Sequence, residues 1–408
     1  MRNTSAKPVL RFPEFKEDWK EYKLSQFLTR YSENNKDEEF SIDEILSLSS
    51  HYGIVSRKEL LEDTYSNVNH LSCKKTRLND LVYGKSISAS YPYGLFKVND
   101  YKDGLLSTLY YTFKVKEFVF PKFLDCYFCH LNRANNFLKK YVLVGDRYIT
   151  ADADYLLSGK IYLPTQKEEQ KKITDFLIQF DNRIVQLKEK KENLELYKKG
   201  ITQKIFSQKL RFKDENGKDF PEWKKFKLGD LTIKVGAKNK ENEQLPIYSI
   251  SNKKGFVPQS NQFAGLDSIE RGFDISLYKI IEERTYAYNP ARINVGSIGY
   301  SGSLNRVLVS SLYVCFKTKK NVFDDFFNHY LDSSQFNKAV LKRTEGGVRQ
   351  YLFYENFSLI VLNLPSIKEQ EKIASFLNAI SQQIALVNEQ LEETRTFKKV
   401  LLNKLFAS

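Results

Sequence analysis

The sequence predicts a mixed α/β (α+β) chain: two similar globular domains and two long coiled-coil helices, in a tandem repeat. Three observations predict it. The tail of each half repeats, each tail carries a heptad-like apolar seam, and the block before each tail mixes β-type runs with short helical stretches. The 408 residues hold 64 Lys and Arg against 50 Asp and Glu, a formal net charge of +14. Hydrophobic residues are 41% and aromatic residues 14%, a globular composition. At ~150 residues per domain the length suits two or three cores. The positive surplus points to a polyanionic partner, most simply nucleic acid.

The chain opens on Phe12–Glu14 followed by Trp19-Lys20-Glu21-Tyr22-Lys23-Leu24, and the same sequence of events returns at Phe220–Glu222 and Trp223-Lys224-Lys225-Phe226-Lys227-Leu228. Each opening leads into a block, 25–162 or 229–363, rich in Tyr, Phe, Gly, Asn and Ser. Within the blocks SLSSHYGIV (47–55) resembles SISNKKGFV (249–257), and LLSTLYYTF (105–113) resembles LVSSLYVCF (308–316). Runs such as STLYYTFKV and SSLYVCFKT read as strands, and helices are expected around Phe123–Lys140 and Phe326–Lys342. Gly145-Asp146-Arg147 precedes the first tail much as Gly347-Val348-Arg349 precedes the second.

The tails themselves read as helices. The first runs from about Lys167 to Phe206 behind Pro164 and Thr165, with Glu168 and Glu169 in its first turn. Its seam is Ile173, Leu177, Phe180, Ile184, Leu187, Leu194, Ile201 and Ile205, lapsing at Lys191 and Lys198. The second repeats it at Ile373, Leu377, Ile380, Ile384, Val387, Leu391, Leu401 and Leu405. A period near 3.5 is a coiled-coil seam, and forty residues at ~1.5 Å each make a rod of roughly 60 Å. The implied segments are 1–164, a central helix 165–208, 209–365 and a distal helix 366–408. Because residues 209–231 follow the first helix directly, the symmetry predicts that segment 8–27 lies at the end of the second.

The motifs of catalysis are missing. Gly84-Lys85-Ser86 has the tail of a phosphate loop, but Asn79 stands where its first Gly belongs; the Gly-Lys pairs at Gly159 and Gly217 lack Ser or Thr. There is no Gly-x-Gly for a dinucleotide or methyl donor, and no Pro-Pro of the kind adenine methyltransferases carry. Cys126-Tyr127-Phe128-Cys129-His130 matches a haem attachment motif, but two small core residues one helical turn apart explain it as well. His51, His70 and His329 are isolated, so no metal site is expected. Four cysteines in a chain this long read as reduced thiols of a cytoplasmic protein. No apolar run approaches the ~20 residues of a membrane span, and the opening MRNTSAKPVLRFPEF lacks a secretion signal's apolar core. The chain is read as non-catalytic.

With Leu-Pro-x-x-x-Glu-Gln-x-x-Ile-x-x-Phe-Leu present twice (one extra residue in the first copy), the chain resembles the DNA-specificity subunits of type I restriction–modification enzymes, the HsdS type. The resemblance implies that each block is a target-recognition domain and that the two domains are separated by the two long helices, packed as an antiparallel coiled coil in a pseudo-two-fold repeat. It also implies a bipartite double-stranded DNA target, with two methyltransferase subunits and restriction/translocase subunits as partners. Cofactors are expected in those partners and not in this chain: S-adenosylmethionine for adenine methylation, with ATP and Mg. Two alternatives stay open, a specificity subunit serving a fused methyltransferase–nuclease and a non-specific coiled-coil nucleic-acid-binding protein.

Loop position and residue type nominate the DNA-facing side chains. In the first block they are His51, Tyr52, Arg57, Lys58, Lys85, Tyr91, Tyr93, Arg147 and Tyr148. In the second they are Asn252, Lys253, Lys254, Arg292, Tyr300, Asn305, Arg306, Arg343, Arg349 and Gln350. Arg and Lys suit guanine or phosphate, Asn and Gln suit adenine, and an ordinary solvated surface role is the alternative for each.

Overall fold

The computed structural model describes residues 7–61, 69–85, 87–145, 149–252, 254–262, 265–345 and 351–407. They fall into two compact units, Met1–Lys188 with Glu389–Ser408, and Glu189–Asn388. Each long helix is shared between the units, so the distal half of the second helix belongs with the first globule.

Each globule has the same architecture. In the first, an antiparallel sheet runs in the order Leu28–Tyr31, Tyr111–Val115, Leu81–Gly84, Leu95–Val98. In the second, Thr232–Val235, Val314–Thr318, Tyr286–Tyr288 and Ile298–Tyr300 repeat that order. A second layer holds the pairs Leu46–Ser49 with Gly53–Ser56 and Lys74–Thr76 with Gly104–Leu106, linked by a parallel bridge from Ile45 to Leu105. Its counterpart is a continuous five-stranded sheet in which Ile247–Ser251 runs parallel to Val307–Val309. The expected helices are present as pairs, Pro121–Phe128 with Leu131–Leu138 and Asp324–Leu331 with Ser334–Leu341.

Each repeat is closed by its own ends. Lys20–Lys23 pairs antiparallel with Lys160–Leu163, and Lys224–Lys227 with Val361–Leu364. The chain then enters the long helices, Lys167–Phe206 and Ile367–Lys404. Acidic first turns and a Lys204 or Lys404 last turn complement the helix dipoles. The seam reads as expected: Ile173, Leu177, Leu187 and Ile205 are buried, as are Ile373, Leu377, Val387 and Leu401. At Lys191, and at Lys398 where the second helix repeats Lys198, the seam is polar but partnered. Lys191 donates to Asn388 Oδ1 at 2.7 Å in the second unit, and Lys398 pairs with Asp181 in the first.

The repeated Glu-Gln of the tails has a physical reason. Glu169, its side chain 1% exposed, takes Arg11 Nε at 2.7 Å and Nη2 at 2.8 Å and the Trp19 indole N–H at 3.1 Å. Glu369, at 0% exposed, takes Arg211 at 3.3 and 3.0 Å and Trp223 at 3.0 Å. Gln170 accepts from the Phe120 N–H at 2.8 Å and donates to the Pro164 carbonyl at 3.0 Å; Gln370 repeats this with Phe323 and Pro365 at 2.8 and 2.9 Å. The tail motif therefore fastens the helix start to the opening segment and to the loop before the helix pair.

Segment 8–27 lies at the end of the second helix, as the symmetry predicts. Leu10 N–H donates to the Lys404 carbonyl at 2.9 Å, where Leu210 donates to Lys204 at 3.1 Å within the continuous chain. Trp19 and Phe406 meet edge to face at 6.4 Å, in a buried aromatic cluster with Phe123 and Tyr127. Burying an indole of ~150–250 Å² stabilises by about 4–6 kcal/mol relative to exposure.

Candidate nucleic-acid interface

In each unit three arms project from the sheets, and most of the nominated residues stand on them. The first arm of the N-terminal unit is the turn between Leu46–Ser49 and Gly53–Ser56. Ser49 Oγ accepts from the His51 and Tyr52 N–H groups at 3.2 Å, and Gly53 adopts φ +75°. This turn leaves His51 exposed and Tyr52 71% exposed. Arg57 opens the short helix that follows, half-buried, with its N–H on the Ile45 carbonyl at 3.0 Å. Lys58 is exposed and paired with Asp43 at 3.2 Å.

The second arm joins Leu81–Gly84 to Leu95–Val98. Its approach is tight: a Cβ on Gly94 (φ +82°) would lie 2.4 Å from the Gly84 carbonyl oxygen, so only glycine fits. Lys85 starts this arm half-buried; Tyr91 exchanges backbone hydrogen bonds with Ser88 at 3.1 and 3.3 Å. Tyr93 packs on the core and gives its carbonyl to the Tyr83 hydroxyl at 2.7 Å, so it supports the arm from beneath. The third arm is the hairpin of Val142–Val144 and Ile149–Ala151. The nominated Arg147 and Tyr148 lie outside the described residues. Leu48 packs against Gly84, and the Tyr111 hydroxyl donates to the Ala151 carbonyl at 2.6 Å, which brings all three arms to one place.

The C-terminal unit builds the same arrangement from different residues. Asn252 and Lys254 are exposed at the turn between Ile247–Ser251 and Gly255–Pro258; Lys253 lies outside the described residues. The second arm, between Tyr286–Tyr288 and Ile298–Tyr300, carries exposed Arg292. The carbonyl of Arg292 accepts from Ser297 at 3.1 Å. Ser297 Oγ donates to the Ile250 carbonyl at 3.1 Å, and Gly299 lies so close to Gly255 that a Cβ would meet its Cα at 3.0 Å. The third element of the arrangement is the pair Glu345 and Tyr351, which exchange backbone hydrogen bonds at 2.9 and 2.7 Å; Leu352 N–H on the Pro290 carbonyl at 3.0 Å ties it to the second arm. Arg343 is half-buried at its foot; Arg349 and Gln350 lie outside the described residues.

Three nominated residues stand elsewhere. Tyr300 is committed to the fold: its hydroxyl donates to Asp324 Oδ2 at 2.8 Å, and burial together with that carboxylate pushes its pKa up to about 12. Asn305 is exposed on the next loop beside Arg306, which adopts φ +52° and pairs with Glu243. Loop-based reasoning did not nominate Arg30, Lys74 and Tyr111, strand residues that the fold brings together, Arg30 Cζ at 4.8 Å and Lys74 Nζ at 5.8 Å from the Tyr111 ring centroid.

Among the described residues no group of three or more His, Cys, Asp or Glu converges as a metal site would require, and no helix is long and apolar enough to cross a membrane. Cys126 is buried in the helix Pro121–Phe128, and His130 caps the next helix by accepting the Arg133 N–H at 3.3 Å.

The family model of the type I restriction modification DNA specificity domain matches the chain twice, over residues 16–196 and 221–394. A chain from Methanocaldococcus jannaschii, provisionally described as the type I restriction enzyme MjaX specificity subunit, is 27% identical over 259 residues. That match spans 60% of this chain and 58% of the relative, less than two thirds of the relative's length. Among solved structures, the S subunit of a type I restriction-modification system from M. genitalium superposes with a TM-score of 0.56 at 16% identity, covering 98% of this chain and 99% of that one. The HsdS subunit from Thermoanaerobacter tengcongensis gives 0.51 at 16% identity, covering 97% and 98%. These two share the fold.

Proposed function

The chain belongs to the type I restriction–modification DNA specificity family, and from that premise we propose that it is the non-catalytic subunit that reads a bipartite double-stranded DNA target. The observation that carries the proposal is the repetition of one three-armed surface on two units. Both surfaces have glycine-enforced close packing at the base, and the exposed described residues beside it differ, His51 and Tyr52 in one unit against Asn252, Lys254 and Arg292 in the other. Equal scaffolds carrying unequal residues suit a protein that reads two different short sequences, with Arg, Asn and Tyr as the side chains that can meet base edges. The net charge of +14 adds sequence-independent attraction to phosphate.

The partners follow from a second repetition. Phe12 packs edge-on to Phe176 at 5.8 Å beside Lys172, and Phe212 packs on Phe376 at 5.4 Å beside Lys372. Two equivalent aromatic-lined grooves fit two copies of one partner, here two methyltransferase subunits. Restriction/translocase subunits would join through them, and S-adenosylmethionine, ATP and Mg would be held by these partners. Methylation-sensitive sequencing of a host with and without the gene tests the proposal. The expected result is a split motif of two short half-sites, methylated on adenine, that disappears with the gene. Persistence of every methylated motif would refute it, as would methyl transfer by the purified chain alone.

A further inference from the structure

The N-terminal unit gathers three cations on one aromatic ring. Lys85 Nζ lies 3.9 Å, Arg30 Cζ 4.8 Å and Lys74 Nζ 5.8 Å from the centroid of Tyr111. They come from separate places: Arg30 from the edge strand Leu28–Tyr31, Lys74 from Lys74–Thr76, and Lys85 from just after Leu81–Gly84. Arg30 is exposed, and Lys74 and Lys85 are half-buried. Among the described residues none of the three forms an ion pair, whereas the adjacent Lys75 and Arg77 are both neutralised, by Asp37, Glu39 and Asp103. Lys74 Nζ donates a hydrogen bond to the Tyr110 carbonyl at 3.1 Å; burial, then the charges of Arg30 and Lys85, hold its pKa below the ordinary lysine value. A ring face attracts cations, but three like charges around one ring repel each other, and an anion bound among them relieves that repulsion.

On the reading of the chain as a duplex-binding subunit, we propose that Arg30, Lys74, Lys85 and Tyr111 form a phosphate site that holds one backbone phosphate of DNA beside the reading arms of the N-terminal unit. Position supports this. Lys85 begins the second arm, and the Tyr111 hydroxyl holds the foot of the third through Ala151 at 2.6 Å. The site is one-sided. In the other unit Lys279 repeats Lys74, donating to the Tyr313 carbonyl, but Lys234 replaces Arg30 and is paired with Glu355 at 3.3 Å. Strand register places Val314 where Tyr111 stands and Pro290 where Lys85 stands. The first half-site is therefore gripped through a phosphate clamp that the second lacks.

The test uses the full chain, a short mixed-sequence duplex and fluorescence anisotropy between about 50 and 200 mM salt. Arg30→Gln/Lys85→Gln changes side chains that reach solvent, and a circular-dichroism melt confirms that the variant folds. It should weaken binding roughly ten-fold and lower the slope of log affinity against log salt by about 0.9, the signature of one lost phosphate contact. Lys234→Gln, the matched change in the other unit, should leave the slope as it is. An unchanged slope in the double variant, or an equal change in Lys234→Gln, overturns the site while leaving the DNA reading standing. In a second arm inorganic phosphate is added during melting. If it stabilises the native chain and not the double variant while the native chain binds no duplex, the anion site holds and the DNA reading fails. If it does so while the duplex slope is unmoved, the site takes free phosphate, and the backbone contact is overturned.

Discussion

Replacing Arg11 by Ala should destabilise the N-terminal unit by about 3–5 kcal/mol, far more than a surface ion pair allows. The magnitude follows from what the substitution leaves behind. The Glu169 side chain is 1% exposed and loses both guanidinium contacts, at 2.7 and 2.8 Å, keeping the Trp19 N–H at 3.1 Å. A carboxylate stripped of its cation in a site that water barely reaches carries most of its desolvation cost uncompensated. At ~2–4 °C per kcal/mol for a unit of this size, the melting temperature should fall by roughly 6–20 °C. Heat and urea unfolding of the full chain, with hydrogen exchange to assign the loss to residues 7–27 and 160–177, would measure it. Adding Glu169→Leu should recover only part of the loss, since it removes the orphaned charge but leaves the buried Trp19 N–H without its acceptor. A loss below about 1 kcal/mol, the range of exposed pairs, would refute the reasoning.

Phe406→Ala removes a ring buried against Trp19, Phe123 and Tyr127 at 6.4, 5.2 and 5.7 Å, and should cost about 3–5 kcal/mol, read as faster exchange in segment 19–27 and in helix 121–128. His329 is held below the ordinary histidine pKa by burial, against Lys198, with its Nε2 on Asn378 Oδ1 at 2.9 Å. The unfolded chain therefore binds the proton more readily, so this contribution to stability is full above pH ~6.5 and falls as pH drops, by at most about 1.4 kcal/mol per unit. His329→Gln should flatten that slope in pH-dependent melts. Asn252→Ala should relax base preference at a single position by about 1–3 kcal/mol in a selection experiment. Lys254→Ala should instead weaken all sequences alike and lower the salt slope by about 0.9.

The sequence by itself determined the duplication, the two helices with their seams, the helix pairs and the fold class, because each is written in local periodicity or in residues that recur at matched positions. It also determined which half of the chain would lie beside which: segment 8–27 had to meet the end of the second helix, and the bond from Leu10 to Lys404 is that contact. Tertiary structure decided what those recurring residues do. Nothing local ties Glu169 to Arg11 and Trp19, and the reason for a glutamate there exists only once strands Lys20–Lys23 and Lys160–Leu163 have paired. The interface divides the same way. Loop chemistry was enough to nominate Tyr52, Lys85, Asn252 and Arg292, but it could not tell Tyr300, whose hydroxyl is spent on Asp324, from a tyrosine free to meet a ligand. Nor could it find Arg30, Lys74 and Tyr111, which are far apart in the chain and become one site only because two strands bring Arg30 and Lys74 to the Tyr111 ring carried by a third.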